Sequence, residues 1–209
     1  MSFAVYDFRH DIRNLLVTPQ IRARFLRMEP GQVAALHSHD LGHEIFLILQ
    51  GRCVFEIDGG ERELGPGQLC VALVDQIHQV RCLGDEPLIM YLSVTPHVQP
   101  THTMRSPDGT RLPTRFMPSS AYDTETDTET PITELAVRLA AAADALARAA
   151  CAGADGQRLS AERLADGVSE PEMSVVREEI WEALRETMTR MYDMVDLWNA
   201  LAPRLGPTV

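Results

Sequence analysis

The stretch GQVAALHSHDLGHEIFLILQG, residues 31–51, decides how this chain is interpreted. It contains three of the seven histidines, His37, His39 and His43, next to Glu44 and directly before an apolar run. Histidines grouped in this way are exposed by accident, buried and satisfied by neighbouring groups, or ligands of a metal ion. The pattern of the surrounding chain separates these explanations.

The segments on either side of this stretch predict a mainly β domain. Residues 21–29 alternate apolar and polar side chains, which is the period of a half-buried strand, and residues 45–50 are apolar on both faces. A hairpin follows, in which Asp58-Gly59-Gly60 supplies residue types that tolerate positive φ. Further short apolar segments at residues 69–74, 78–83 and 88–95, with turns between them, predict a sandwich or barrel.

The chain changes character after residue 95. Five prolines lie between residues 96 and 118, and the acidic run DTETDTET at residues 123–130 is typical of a solvated linker. Beyond Pro131 the apolar residues recur with helical spacing, and a capping box at residues 169–172 opens a second helix expected over residues 171–202. The apolar seam of that second helix is Leu184, Met188, Met191, Val195 and Trp198.

We therefore expect three parts. A β domain with an N-terminal arm and a proline-rich exit segment covers residues 1–120, an acidic linker covers 121–130, and a helical hairpin covers 131–209. The hairpin either covers the barrel or pairs with a second copy, and we expect a homo-oligomer, most simply a dimer.

Composition limits the partners and the compartment. The net charge is −11, all 19 basic residues are arginine, and the balance is −2 through residue 120 and −9 after it. Nucleic acid and anionic membranes are therefore poor partners. The four cysteines form no CxxC pair, and residues 1–11 lack an apolar signal core. We expect a soluble cytoplasmic protein.

Four residues form a candidate ligand set. His37 and His39 are two residues apart, so on a strand both imidazoles face the same side. Glu44 opens the buried strand, where an unpaired carboxylate is costly and a partner is favoured. His78 opens a later strand. Two histidines, a glutamate and a distant histidine are suitable ligands for a divalent transition metal.

These residues resemble the first motif of the cupin superfamily. Gly31, five residues, His37-x-His39, four residues, Glu44, six residues and Gly51 match that motif at every defined position. The resemblance covers residues 20–96. It implies a jelly-roll barrel, a double-stranded β-helix, with a C-terminal α-helical extension that the motif does not include. It also implies that His37, His39, Glu44 and His78 bind one divalent metal ion: iron, manganese, nickel, copper or zinc.

The second cupin motif is only partly present. Gly67 and His78 stand at the matching separation, but residues 73–75, Leu-Val-Asp, replace the usual Pro-x-Gly, and Cys82 replaces the final asparagine. The ligand is kept while the turn before it is altered.

The remaining histidines are assigned less directly. His43 should point away from the side of Glu44, so we expect it to be exposed or to contact a ligand from outside the site. His97 and His102 lie in the proline-rich exit segment, where we expect surface positions, although either could approach the barrel mouth. His10 carries no signal.

The predicted pocket is mainly apolar. Strand alternation places Phe46, Ile48, Gln50 and Val80 on the side of the ligands. Arg24, with Arg22, would meet a carboxylate if it faced inward, although a solvent-facing position is commoner for arginine. These side chains favour a hydrophobic or aromatic small molecule.

The function expected from this pattern is that of a metal-dependent cupin enzyme, oxygenase-like in its chemistry. Two alternatives stay open. One is a non-catalytic cupin that binds or senses a ligand. The other is an isomerase, cyclase or lyase that uses the metal as a Lewis acid or uses no metal.

Overall fold

The computed structural model describes residues 3–206. They divide into two compact units, one running to Asp127 and resuming at Ala202, and the other comprising Thr128–Leu201. The first unit is built from strands and the second from two helices. This agrees with the predicted mainly β fold and its C-terminal helical extension.

The strand-rich unit consists of two five-stranded antiparallel sheets. In chain order the strands are β1 Asn14–Thr18, β2 Ile21–Met28, β3 His37–Ser38, β4 His43–Gln50, β5 Arg52–Ile57, β6 Gly60–Leu64, β7 Leu69–Ala72, β8 His78–Leu83, β9 Leu88–Thr95 and β10 Thr103–Met104. One sheet has the order β1-β2-β9-β4-β7 and the other β10-β3-β8-β5-β6. Consecutive strands often lie in different sheets, as in the predicted jelly roll.

The two sheets enclose an apolar core. Successive side chains on a strand point to opposite faces, so every second residue of β4 and β8 enters the interior. The buried core residues are Met28, Phe46, Ile48, Cys53, Phe55, Leu64, Ala72, Val80, Cys82, Leu88, Met90 and Leu92. Ile48, Leu88 and Met90 have no exposed surface at all.

Two glycine-containing turns explain the local register. Asp58 and Gly59 have φ of 48° and 77°, so the β5–β6 hairpin uses the positive-φ turn expected from its sequence. Gly51, between β4 and β5, has a φ of 75°, and a Cβ at this position would lie 2.6 Å from the carbonyl oxygen of Pro87. No other residue fits there without moving the backbone.

Two short strands differ from the sequence-based expectation. β1 lies in the arm before residue 20, and β10 lies in the proline-rich segment that we expected to be irregular. β10 pairs with β3, joining Met104 to His37 and Thr103 to Ser38. Such a two-residue strand has no detectable period in the sequence, so only pairing with a distant partner defines it.

The second unit is a helical hairpin of α1 Ile132–Asp166 and α2 Glu170–Leu201. At the start of α2 the Glu172 carboxylate accepts hydrogen bonds from the Ser169 amide and hydroxyl, at 2.8 and 2.6 Å. Val195 is buried, whereas Leu184 and Met188 of the predicted seam are 45% and 39% exposed. A single partner helix covers only one side of α2, so part of the seam stays open.

Two short 3-10 helices, Ser119–Tyr122 and Ala202–Arg204, complete the secondary structure of the described residues. Neither α1 nor α2 has the length and apolar character needed to cross a membrane, and no other helix within residues 3–206 has them.

Candidate metal centre

The four predicted ligands come from both sheets. His37 on β3 pairs directly with His78 on β8, which places these two rings side by side in one sheet. Glu44 on β4 belongs to the opposite sheet. His39 follows β3 at the point where the chain leaves the sheet. The barrel interior therefore brings together residues that are up to 41 positions apart in the chain.

The ligand atoms converge on a single carboxylate oxygen. Oε2 of Glu44 lies 2.7 Å from Nε2 of His39, 3.1 Å from Nε2 of His78 and 3.7 Å from Nε2 of His37. One donor atom from each of the four residues lies within 4.8 Å of all the others. Ligands held at about 2.1 Å from a shared ion stand about 3 to 4 Å apart, so the spacing fits one metal ion.

Hydrogen bonds to the backbone orient all three imidazoles. Nδ1 of His37 bonds to the carbonyl of Ala35 at 2.8 Å, Nδ1 of His78 bonds to that of Gln76 at 2.9 Å, and Nδ1 of His39 bonds to that of Thr101. A carbonyl only accepts, so each Nδ1 carries the proton and donates it. Each Nε2 then presents its lone pair to the centre, as in histidine ligands of metals.

This arrangement needs positive charge at its centre. Three Nε2 lone pairs facing a carboxylate oxygen repel one another unless protons or a cation lie between them. A divalent ion satisfies all four groups at once, and the nitrogen and oxygen donors suit a transition metal. The residues present therefore fit the metal that the ligand set implies.

Burial and the cluster act together on the ionisation of these groups. Burial by itself would raise the pKa of Glu44, but the close approach of the His37, His39 and His78 rings lowers that pKa well below 4.5. Burial lowers the pKa of His37 below 6.5, although the nearby carboxylate of Glu44 acts in the opposite direction. The carboxylate is thus held in its charged, ligating form.

The other histidines fall into two groups. His43 is exposed, as expected, and its Nδ1 accepts a hydrogen bond from the Val74 amide at 3.0 Å. His10 is also exposed. The expectation of surface positions for His97 and His102 is wrong. His97 is 2% exposed, and the ring of His102 lies 4.8 Å from that of His37 and 5.0 Å from that of His39.

The exit segment brings these two histidines inside. β10 pairs with β3, so residues next to β10 are carried back over the cluster. Thr101 supplies the carbonyl that holds His39, and its hydroxyl is hydrogen-bonded to that of Tyr122 at 2.9 Å. The ring of Tyr122 in turn contacts the ring of His97. Burial lowers the pKa of His97 to about 4 and that of His102 well below 6.5.

A cavity of about 380 Å³ opens beside the cluster. Of the four ligands only His37 lines it, and His37 is also the most exposed ligand, at 14% against 3% or less for the others. The cavity walls are Arg22, Arg24, Ala34, Ala35, His37, Thr101, His102, Met104, Arg115, Met117, Ala121 and Tyr122. This cavity therefore approaches the cluster from the side of His37.

The predicted pocket residues occupy different places. Arg24 lines the cavity, whereas Phe46, Ile48 and Val80 are core residues that do not. Gln50, the last residue of β4, is partly buried and does not line the cavity either. Phe46 lies directly behind the cluster, with its ring 5.8 Å from that of His78. Strand alternation predicts that these side chains point into the barrel, but it does not predict how far they lie from the cavity.

Sequence reasoning did not assign Tyr122 or Met104 to the cavity. Both come from the region after β9, where no regular period marks which side chains turn inward. Arg22 was considered, but with a solvent-facing position as the commoner outcome. It is in fact only 3% exposed.

Comparisons with known proteins agree with this geometry. The family model of the cupin domain matches residues 24–95, which include all four ligands. None of the curated proteins matches the chain.

Among solved structures, the chain is similar to a conserved protein with a double-stranded beta-helix domain from Klebsiella pneumoniae, at 22% identity and a TM-score of 0.43. That similarity covers 46% of this chain and 91% of the other. KdgF from Halomonas is 25% identical with a TM-score of 0.39, over 41% of this chain and 78% of KdgF. The DMSP lyase DddQ from Ruegeria pomeroyi is 24% identical with a TM-score of 0.40, over 44% and 47% of the two chains.

The family match, the jelly-roll topology and the convergent ligand set concern the same part of the chain. The barrel of this protein is a cupin domain.

Proposed function

We propose that this protein is a metal-dependent enzyme that acts on a small molecule with an apolar body, with dioxygen as co-substrate. The observation that carries the proposal is the convergence of four donor atoms beside a cavity that reaches one of them, His37. A structural metal site is closed by its own ligands, whereas a catalytic site keeps an approach for substrate.

The residues that would hold the ion are His37, His39, Glu44 and His78. Iron, manganese, nickel, copper and zinc all accept imidazole and carboxylate ligands. When bound, a redox-active ion supplies electron transfer to dioxygen, and a redox-silent ion supplies Lewis-acid polarisation. Dioxygen chemistry is our first choice because histidine and carboxylate ligands with open positions are typical of non-haem iron oxygenases.

The residues of the chain bind, orient and shield. His39, Glu44 and His78 are buried, so in this proposal the substrate would reach the centre past His37, the most exposed of the four residues. The backbone carbonyls that hold each Nδ1 keep the rings aimed at one point. A ligand ring that is already oriented need not be ordered during the reaction, and this lowers the entropic cost of reaching the productive geometry.

In this proposal, one of the predicted substrate-binding residues contacts the substrate and the others support the site from the core. Arg24 keeps its role because it lines the cavity. Phe46 supports the ring of His78 from behind, and Ile48 and Val80 close the core beneath it. The alanine and methionine side chains of the cavity wall would contact the apolar body of the substrate.

The test is the metal content of the protein purified without an affinity tag. Wild type is compared with His78→Ala, which removes a ligand, and with His43→Gln, which changes an exposed histidine that lies next to Glu44. We expect near-stoichiometric metal in wild type and in His43→Gln. In His78→Ala the metal affinity should fall by at least about 100-fold while the far-ultraviolet circular dichroism stays the same.

The identity of the metal directs the second step. Iron, copper, manganese or nickel leads to oxygen-electrode assays, in which a substrate panel should stimulate oxygen consumption in wild type and not in His78→Ala. Stoichiometric zinc with no oxygen consumption would contradict the oxygenase and favour isomerase, cyclase or lyase chemistry. No metal in any variant, even after reconstitution, would contradict the metalloenzyme and leave a protein that binds or senses a ligand.

A further inference from the structure

Two arginines on β2 face the interior of the barrel. In the β2–β9–β4 part of the sheet, Arg22 and Glu44 both pair with Val94, so the three residues form one row across the strands. Residues in one row share a face of the sheet. Because Glu44 points inward, Arg22 does as well, and Arg24, two positions further along β2, lies on the same face.

Arg22 is buried without the partners that a buried guanidinium normally has. The side chain is 3% exposed, its Nε has no hydrogen-bond partner within residues 3–206, and the ring of Tyr122 lies 5.5 Å from its guanidinium carbon. Nε of Arg24 is likewise buried and unpartnered there. A buried charge is costly unless it is paired, so the two unpartnered Nε atoms favour an anion bound from outside the described chain.

The acidic groups near the arginines do not complete the pairing. Asp123 accepts hydrogen bonds from the backbone amide and side chain of Asn14, at 2.7 and 2.9 Å. Its interaction with Arg24 is the electrostatic attraction between two charges that are not hydrogen-bonded to each other. Glu44 is engaged by three histidines. Burial, together with the neighbouring charge of Arg22, lowers the pKa of Arg24, whereas the charges of Asp123 and Glu44 act in the opposite direction without cancelling that effect.

We propose that Arg22 and Arg24 bind a carboxylate of the substrate and thereby hold its apolar body against His37. Both arginines line the same cavity as His37, and most of the other walls are alanine, methionine and tyrosine side chains. Guanidinium groups donate to both oxygens of a carboxylate, which gives orientation as well as affinity. This inference rests on the proposed function, because it names the class of its substrate: a small monocarboxylic acid with an aliphatic or aromatic body.

The volume and the apolar walls of the cavity favour a carboxylate over a phosphate ester. A cavity of about 380 Å³ is near the lower end of the range for ligand sites, and the acid must also reach past the arginines to His37. Exposed Arg115 adds a third positive group at the wall, and Asp123 offsets one charge. The remaining positive charge suits an anion of one or two charges, and the apolar walls suit the hydrocarbon of a carboxylic acid.

The experiment measures binding of benzoate and hexanoate to the metal-free protein by isothermal titration calorimetry. Benzamide and hexanamide serve as neutral analogues of the same shape, and inorganic phosphate and phenyl phosphate serve as the other anion class. The variants are Arg22→Gln and Arg24→Gln. The matched control is Arg27→Gln, on the same strand, where the side chain is exposed and paired with Glu29.

We expect at least one of the two acids to bind, its amide to bind at least about ten-fold more weakly, and Arg22→Gln and Arg24→Gln each to weaken the acid by about ten-fold or more. Arg27→Gln should bind as wild type does. Circular dichroism checks the fold of each variant, and if Arg22→Gln does not fold, the partly buried Arg24→Gln decides the result.

Four results would overturn the inference: no binding of either acid to wild type, amides binding as well as acids, equal affinities in Arg24→Gln and Arg27→Gln, or phosphate binding more tightly than both acids. Because binding is measured without metal, the two proposals fail separately. Arginine-dependent carboxylate binding in a protein that takes up no metal would refute the proposed function only. Metal uptake without carboxylate binding would refute this inference only.

Discussion

The two ends of the barrel interior differ in polarity, although β4 and β8 contribute residues to both. We call His37, His39, Glu44 and His78 the polar end, and Phe46, Ile48, Phe55, Val80 and Cys82 the apolar end. Along β4 the inward residues change from Glu44 to Phe46 and Ile48, and along β8 from His78 to Val80 and Cys82. Two strand positions thus separate a polar cluster that fits a metal ion from a core that is complete by itself.

This difference in polarity separates the residues that stabilise the fold from those that form the candidate site. The apolar end gains free energy simply by removing hydrocarbon from water. The polar end buries a carboxylate, the imidazoles of His39 and His78 and the nearby guanidinium of Arg22, each of which costs free energy unless it is paired. A cluster of this kind is better explained by what it binds than by what it contributes to folding.

The largest effect on stability is expected at the apolar end. Ile48 has no exposed surface and lies in the core, so Ile48→Ala should lower the free energy of unfolding by about 2 to 5 kcal/mol through lost burial and a cavity. Urea denaturation measures the change, and elemental analysis of the folded variant should still find the wild-type metal content. Loss of the metal from folded Ile48→Ala would show that the two ends are not independent.

A smaller, pH-dependent effect is expected from His97, which is buried near the polar end. Burial, together with the charge of Arg22, lowers the pKa of His97 from 6.5 to about 4. Between pH 6.5 and 4 the unfolded chain binds the proton of His97 more tightly than the folded chain does. The free energy of unfolding is therefore highest above about pH 6.5 and decreases as the pH falls towards 4.

The measurement compares metal-free wild type with His97→Gln by urea denaturation at pH 7 and at pH 4.5. Wild type should lose about 1 to 3 kcal/mol more than the variant over this interval, because glutamine does not titrate. Equal losses in the two proteins would mean that His97 titrates normally in the folded state and that its ring is accessible to water.

The smallest effect on stability is expected from substitution of an exposed cysteine. The reactivity of the cysteines also tests whether the barrel interior is closed to solvent. Burial raises the pKa of the Cys53 and Cys70 thiols to about 12, whereas Cys151 on α1 is exposed. Native protein at pH 8 should therefore show one rapidly reacting thiol with Ellman's reagent, because the thiolate is the reactive form. Cys151→Ser should abolish this phase and change the unfolding free energy by less than about 0.5 kcal/mol. Rapid reaction of more than one thiol would contradict the enclosure of the barrel thiols.

Much of the barrel is predictable because its signals are local. β8 and β9 have the predicted bounds, and the positive φ at Asp58 and Gly59 follows from residue type. The spacing of His37, His39 and Glu44 led to a ligand set whose donor atoms the structure brings together. Each of these features depends on a few neighbouring residues or on one motif.

The cavity beside the cluster was not predictable in the same way. His102 and Tyr122 enter it from an irregular segment, which is carried over the barrel by the pairing of β10 with β3. No local period shows which residues of such a segment turn inward. The choice between inward and outward for Arg22 likewise required knowing which sheet face β9 and β4 present beside it.

Spacing along the chain was therefore enough to establish the strands, the turns and the four candidate ligands, because side-chain direction alternates with each residue of a strand. The depth of the cavity, the inward position of Arg22 and the approach of His97 and His102 were settled by long-range packing. For two neighbouring residues of a strand, the relative direction of the side chains is known from the sequence. The residues that they contact across the barrel depend instead on how distant strands pair. The candidate metal ligands of this protein belong to the first kind of information, and the residues proposed to bind its substrate belong to the second.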